Sequence, residues 1–287
     1  MTSLARSPQE ALILGMLAAG LLGLLAAGLL RWLQAGSAWT DLLTPAFFLF
    51  AYWLVYNKVP SFPPVGAVNK VFYVAAIGTA IGFLIDLIGH PAPVRALLFL
   101  QPIGSAAYVG GSRLTVAPFE VVAAALCGVL VLNLLSRKTE GQPGEPDVQR
   151  AVALGVACVG FAPIALLGAS SSSFQLSMFV AAAIFGTLVW HLANPHFGFA
   201  SASLLGGMGG MIAVAQTVVL ITRKADLTAL AVLGLMFVVP RLAGAVLDRI
   251  GARNSIVRIA VFAGMCLTPA LISLAIVVAR YGSSFPV

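Results

Sequence analysis

Long runs of apolar residues alternate along this chain with short breaks marked by charged residues, proline or glycine. Runs such as Ala11–Leu30 and Ile256–Ala279 have the length of the roughly 20 apolar residues that a bilayer core requires. They do not alternate between apolar and polar residues, as the strands of a membrane β-barrel would. Because every backbone polar group in lipid must be satisfied within its own segment, we predict that these runs are helices.

Ten such segments predict an all-α, polytopic membrane protein of about ten transmembrane helices, with residues 1–287 forming a single transmembrane domain. The second segment is short and the fourth contains Pro102 and Gly104, so we expect either to be tilted, kinked or partly re-entrant. A short polar loop at 136–150 separates five segments from five. The segments fall near 11–30, 42–56, 71–89, 96–112, 115–135, 151–168, 174–192, 200–222, 227–247 and 257–279.

Composition agrees with this interpretation, since 60% of residues are hydrophobic and only 9% are charged. A soluble domain has about 25% charged residues. The net charge of +7 comes from Lys and Arg scattered singly, which favours anionic lipid headgroups as partners and argues against nucleic acid. Cys127, Cys158 and Cys266 each fall within a segment, so they predict small buried side chains and neither a disulfide framework nor a zinc site.

Polar residues collect at one side of the predicted bundle, at the turns from odd to even segments. Lys and Arg divide almost evenly between the two sides and therefore give no orientation. We expect a polar site on the side of the odd-to-even turns, and we expect that side to be cytoplasmic. Its polar residues are Asp86, His90, Asn133, His191, Asn194, His196, Asp248 and Arg249.

Other candidate residues indicate structural roles rather than catalytic or metal-binding ones. Arg241 and Asp248 lie seven residues apart on one helical face and are candidates for a structural ion pair. The run Gly206–Gly210 predicts close helix packing, with an unwound binding segment as the alternative. No phosphate-binding loop, dinucleotide fingerprint, zinc-protease motif or nucleophile elbow occurs, so the motifs predict no catalytic residue and no metal site.

Three segments, in order, resemble one membrane family. They are Ala80–Leu87 (AIGFLIDL), Ala123–Ser136 (AAALCGVLVLNLLS) and Gly186–Asp248, which contains WHLANPHFGFASASLLGGMGG. These are similar to motifs of the polyprenyl-phosphate sugar-1-phosphate transferases (MraY/WecA-like). That resemblance implies about ten helices, a cytoplasmic active face, and transfer of a phosphosugar from a UDP-sugar to undecaprenyl phosphate with Mg²⁺.

The family's carboxylates are mostly missing from the matching positions. Asp86, Asn133 and Ser203 match the family's residues, whereas its other aspartates correspond to Ile85, Ser136 and Ala200. Because carboxylates hold the cation in that chemistry, Mg²⁺ should bind poorly and transfer should be very weak. We therefore expect no cofactor, with Mg²⁺ relevant only if transferase activity survives.

The resemblance implies a catalytically silent binder or partner in polyprenyl-linked glycan assembly, in a bacterial inner membrane. Expected partners are membrane lipids, undecaprenyl phosphate among them, another envelope-assembly protein, or a second copy in a homodimer. One alternative is a secondary transporter of a small solute with about ten spans; another is an active phosphosugar transferase with an altered metal site. The candidate lipid- or phosphate-binding residues are Asp86, Asn133, Ser136, His196, Ser203 and Arg249.

Overall fold

The computed structural model describes residues 7–89, 92–137, 144–191, 197–250 and 254–281. Within these ranges the chain is helical between short turns and contains no β-strand, which confirms the predicted all-α fold. Its α-helices are α1 (Pro8–Trp32), α2 (Ser37–Asp41), α3 (Leu43–Tyr56), α4 (Ala67–Ile88), α5 (Ala92–Gly110), α6 (Arg113–Val116), α7 (Pro118–Ser136), α8 (Glu145–Leu167), α9 (Ser171–Leu188), α10 (Gly209–Thr217), α11 (Leu227–Gly234), α12 (Val239–Ile250) and α13 (Ser255–Tyr281).

Among the described residues, eight helices are long and apolar enough to cross a membrane. The short second segment is lengthened by α2 into Ser37–Tyr56. Pro102 lies inside α5 without ending it, and the ninth segment is divided, because a 3₁₀ turn at Leu235–Val238 separates α11 from α12. Neither α5 nor the ninth segment is among the eight helices, so the figure of ten spans stays a prediction. The eight helices are Pro8–Trp32, Ser37–Tyr56, Ala67–Ile88, Pro118–Ser136, Glu145–Leu167, Ser171–Leu188, Ser203–Thr222 and Ser255–Tyr281.

The centre of the bundle is the helix Ser203–Thr222, here called the composite helix. It begins with a π-helical turn at Ser203–Met208, continues as α10, and ends with a second π-helical turn at Val218–Thr222. In its most apolar stretch 83% of residues are buried, compared with 22% for α1. The composite helix is therefore surrounded by protein, whereas α1 lies at the periphery and exposes one face to lipid.

The glycine run of the composite helix is helical and tightly packed, as the sequence predicts for close helix packing. A side chain at any of these glycines would overlap a neighbouring helix. The contacts pair Gly206 with Thr79 of α4, Gly207 with Thr44 of α3, Gly209 with Gln101 of α5, and Gly210 with Phe48 of α3. Small residues thus let the backbone of α4 approach the composite helix closely, and they let side chains of α3 and α5 pack directly on its backbone.

A second stripe of small residues joins α1 to α9. Residues at every fourth position of α1 are buried, and a Cβ added at Gly23 would overlap the carbonyl oxygen of Ala183. The stripe consists of Gly15, Ala19, Gly23 and Ala27. This close contact holds the peripheral α1 against α9, together with a hydrogen bond of 2.9 Å from the Trp190 indole N–H to the carbonyl oxygen of Leu24.

Candidate functional site

A fully buried carboxylate, Asp41 at the end of α2, holds the beginning of the composite helix. Its Oδ1 accepts a hydrogen bond from the Ala200 N–H at 2.6 Å, and its Oδ2 accepts one from the Ala202 N–H at 2.8 Å. The Ser203 N–H donates to the same carboxylate at 3.2 and 3.3 Å. The first N–H groups of a helix have no partner inside the helix, so Asp41 caps this terminus from a different helix.

Asp86, near the end of α4, binds the same helix terminus. Its Oδ1 accepts from the Ser201 N–H at 3.2 Å and its Oδ2 from the Ala202 N–H at 3.0 Å. The Ala202 N–H is therefore shared between two carboxylates, Asp41 and Asp86. The positive end of the helix dipole favours negative charge at this position.

Arg150 in α8 connects this terminus to two more helix ends. Its guanidinium donates to the carbonyl oxygens of Phe199 at 3.2 Å, Ser136 at 3.2 Å and Arg137 at 3.1 Å. It also forms an ion pair of 3.0 Å with Asp147. One side chain thus ties the end of α7 and the start of α8 to the segment that leads into the composite helix.

These residues define what we call the polar end of the bundle. It lies at the turns between odd and even segments, where the sequence predicts polar residues to collect. The residues brought together there are Asp41, Asp86, Ser136, Arg150 and Ser203.

Two candidates on α7, Asn133 and Ser136, bond within their own helix. The Asn133 side chain donates to the carbonyl oxygen of Val129 at 2.9 Å, and Ser136 Oγ donates to the carbonyl oxygen of Asn133 at 2.9 Å. The Ser203 hydroxyl donates to the carbonyl oxygen of Asp41 at 2.8 Å. These groups support the polar end structurally in the conformation described.

Arg249 is exposed in the last turn of α12 and takes part in none of the four ion pairs between described residues. Arg258, near the start of α13, binds the buried Glu145 of α8 at 2.7 Å, which places the start of α13 at the polar end. His196 lies outside the described residues. The backbone at Arg241 and Asp248 belongs to α12, but their side chains are outside the description, so the proposed ion pair stays a prediction.

A large apolar groove opens beside the composite helix, with a volume of about 790 Å³. The composite helix forms its floor with residues at helical spacing, among them Met208, Ile212 and Val219. One wall is α7, and the other consists of α8 and α11. The lining residues are apolar apart from Glu120, Gln216, Arg223 and the thiols of Cys127 and Cys158.

The two ends of this groove differ in chemistry. Towards the polar end its lining is apolar and includes Leu134, Leu154 and Val238. At the opposite end it includes Glu120 and Arg223, which form an ion pair of 2.9 Å. From Glu120 to Leu134 is fourteen residues, or about 21 Å at about 1.5 Å per helical residue.

The described residues of the polar end do not form a magnesium site of the kind that the family resemblance implies. Among the described residues there is no group of three His, Cys, Asp or Glu side chains placed to hold a metal ion. Asp41 and Asp86 meet there, but both oxygens of each accept backbone N–H groups. Each Asp41 oxygen accepts two such contacts, so without breaking the helix cap a cation could bind only the remaining lone pairs of Asp86, which is a single carboxylate.

The sequence patterns did not identify Asp41 as a site residue, and they placed Arg150 only at the end of the polar loop. The only signal for Asp41 was a carboxylate directly before the predicted start of the second segment. The structure does bring Asp86 and Ser203, which belong to two segments of the family resemblance, to one helix terminus. No family model, curated protein or solved structure matches this chain, so the resemblance stays a hypothesis.

Proposed function

We propose that this protein binds an anionic lipid with a long apolar chain, of the polyprenyl-phosphate class, without transferring a sugar phosphate to it. The observation that carries the proposal is the apolar groove of about 790 Å³ between α7, α8, α11 and the composite helix. Its apolar lining suits a hydrocarbon chain and disfavours a polar solute, because an unpaired polar group there would lose its hydration.

The length of the groove favours a chain longer than an ordinary acyl chain. The hydrocarbon core of a bilayer is about 30 Å thick, so an acyl chain confined to one leaflet reaches about 15 Å. The α7 wall extends for about 21 Å between Glu120 and Leu134. A chain that fills the groove therefore passes the bilayer midplane, as a polyprenyl chain can.

The headgroup belongs at the polar end in this proposal. Leu134 and Leu154 lie within one helical turn of Ser136 and Arg150, and Val238 directly precedes α12. That helix carries the exposed Arg249 in its last turn. An arginine can donate two hydrogen bonds to a phosphate, and phosphate binding of this kind requires no metal ion.

The carboxylates that are in place support a role without transfer. Transfer between a UDP-sugar and a lipid phosphate joins two anions, so the family chemistry needs a cation held by carboxylates. Here Asp41 and Asp86 stabilise the composite helix instead. The resulting role is storage or presentation of the lipid in polyprenyl-linked glycan assembly at a bacterial inner membrane. The protein would do this alone, as a homodimer or with another envelope-assembly protein.

One observation favours the alternative of a small-solute transporter. The Gln101 amide is buried against the composite helix, and neither of its polar atoms has a hydrogen-bond partner among the described residues. Gln216 and Ser105 form a buried hydrogen bond of 2.7 Å nearby on the same pair of helices. A polar solute bound inside the bundle could satisfy Gln101, and transport in liposomes would then be sensitive to Gln101→Leu.

The proposal is tested by native mass spectrometry of purified protein with undecaprenyl phosphate. Ala123→Phe places a large ring in the groove from an exposed position of α7, and Arg249→Ala removes the headgroup cation. We expect bound lipid in the wild type and less in both variants. Val122→Phe is the matched control, because Val122 is exposed on the same helix but does not line the groove.

Equal lipid occupancy in Ala123→Phe and Val122→Phe would show that the groove is not the binding site. Absence of bound lipid, combined with solute uptake into liposomes, would establish the transporter instead. Release of UMP from a UDP-sugar in the presence of Mg²⁺ would show that the protein is a transferase.

A further inference from the structure

An ion pair lies in the groove at the end opposite the polar end. Glu120 lies in the first turn of α7, and Arg223 caps the C-terminal end of the composite helix. Their side chains meet at 2.9 Å, and both residues line the groove. This pair therefore links one wall of the groove directly to its floor.

Two polar links and a small buried cluster hold α7 to the composite helix at this end. Val121 and Ala125 of α7 share the cluster with Leu220 of the composite helix and Ala106 of α5. α7 packs mainly against α5. Besides the ion pair, Gln216 Nε2 donates to the carbonyl oxygen of Ala124 at 3.4 Å, one helical turn from Glu120. Movement of α7 away from the floor at this end must therefore break these polar contacts and open this cluster of four buried residues, which is separate from the main core.

The other side of the same turn is fixed more firmly. Asp226 caps α11 by accepting from the N–H groups of Thr228 and Ala229, and it forms an ion pair of 3.0 Å with Arg280 of α13. The wall formed by α11 is thus tied to α13, three residues after Arg223. If the groove widens at this end, α7 is the wall that moves.

We propose that the Glu120–Arg223 ion pair is a clasp that controls how fast a lipid chain enters and leaves the groove. This inference rests on the proposed function, since it concerns regulation of the same site. With the pair formed, α7 is held against the floor and the groove is narrow at this end. With the pair broken, α7 separates from the composite helix and the chain exchanges sideways with the bilayer.

The clasp is weak enough to open thermally. The side chains of Arg223 and Glu120 are 53% and 41% exposed, so solvent screens their attraction. Exposed ion pairs of this kind correspond to changes of about one- to fivefold in an equilibrium. Screening at high ionic strength weakens them further, which predicts faster exchange as salt is raised.

A native thiol reports the state of the groove. Cys127 on α7 lines the groove and is exposed, whereas Cys158 and Cys266 are buried. We expect N-ethylmaleimide to label Cys127 in lipid-free, detergent-solubilised protein about two- to fivefold faster in Glu120→Gln and in Arg223→Gln than in wild type. Lys224→Gln is the matched control, because Lys224 is the neighbouring exposed cation and forms none of the described ion pairs.

The decisive comparison is the double variant. If the two residues act through their contact, adding Glu120→Gln to Arg223→Gln changes the labelling rate no further. Independent, multiplying effects, or equal acceleration by Lys224→Gln, would overturn the clasp. Failure of undecaprenyl phosphate to protect Cys127 in any variant would instead count against the proposed function, because the comparison of rates uses lipid-free protein.

Discussion

The cap supplied by Asp41 offers the sharpest test of how the polar end is built. In Asp41→Ala the Ala202 N–H still has Asp86, but the N–H groups of Ala200 and Ser203 lose their side-chain acceptor. A donor left without a partner in a buried site costs about 1–3 kcal/mol. Ser203 is buried but Ala200 is exposed, so the predicted loss in the free energy of unfolding is about 1–3 kcal/mol from the Ser203 N–H and a smaller amount from the Ala200 N–H.

Asp86→Ala is the matched comparison at the same helix terminus. It removes the acceptor of the Ser201 N–H alone, because Asp41 still accepts from Ala202. The expected loss is about 1–3 kcal/mol and smaller than that for Asp41→Ala, because one donor rather than two loses its acceptor. Removing either carboxylate also relieves repulsion between the two, which moves both losses towards the lower end of their ranges.

Thermal unfolding in detergent with a thiol-reactive dye measures this difference. Cys158 and Cys266 are buried, so they react only as the bundle opens, whereas the exposed Cys127 reacts before heating. Unfolding of such a protein is treated as a rate process, so apparent Tm values are compared at one scan rate. An Asp86→Ala variant as unstable as Asp41→Ala would refute this assignment of N–H donors to the two carboxylates.

Two further predictions concern packing and pH. Gly23→Ala should lower the apparent Tm, because its Cβ would overlap the Ala183 carbonyl and overpacking costs about 1–3 kcal/mol. The control Gly264→Ala should raise the apparent Tm, because a Cβ there has nothing within 4 Å and alanine favours the helix. Equal shifts in the two variants would contradict the α1–α9 contact. Burial of Asp226 opposes its ionisation, but two N–H donors of α11 and the Arg280 guanidinium outweigh burial and lower its pKa. Because the folded pKa is depressed, Asp226 contributes stability above the ordinary aspartate pKa of about 4 and loses it as pH falls through the folded value. Asp226→Asn should therefore flatten the fall in Tm with acid, measured by tryptophan fluorescence, and an unchanged pH profile would contradict the assignment.

The fold class and the position of the polar groups along the chain follow from the sequence alone. Runs as long as Ala11–Leu30 can be satisfied in lipid only as helices, so the helical bundle follows from their length and composition. Polar residues cannot lie inside the bilayer without cost, so they collect at helix ends, as Asp86 and Ser136 do. The glycine run predicted close packing for a local reason, which is the absence of side chains.

Which helices are neighbours, and what the polar groups bind, depends on contacts between segments far apart in the chain. Asp41 lies 161 residues from Ala202, whose N–H it accepts, and no local pattern encodes that contact. Similarly, the groove depends on α7 packing against α5 and standing apart from α8, although all three helices are apolar. Lipid tails and protein interiors are equally apolar, so a hydropathy pattern marks a helix as membrane-embedded but leaves its partners to shape complementarity and to hydrogen bonds between distant segments.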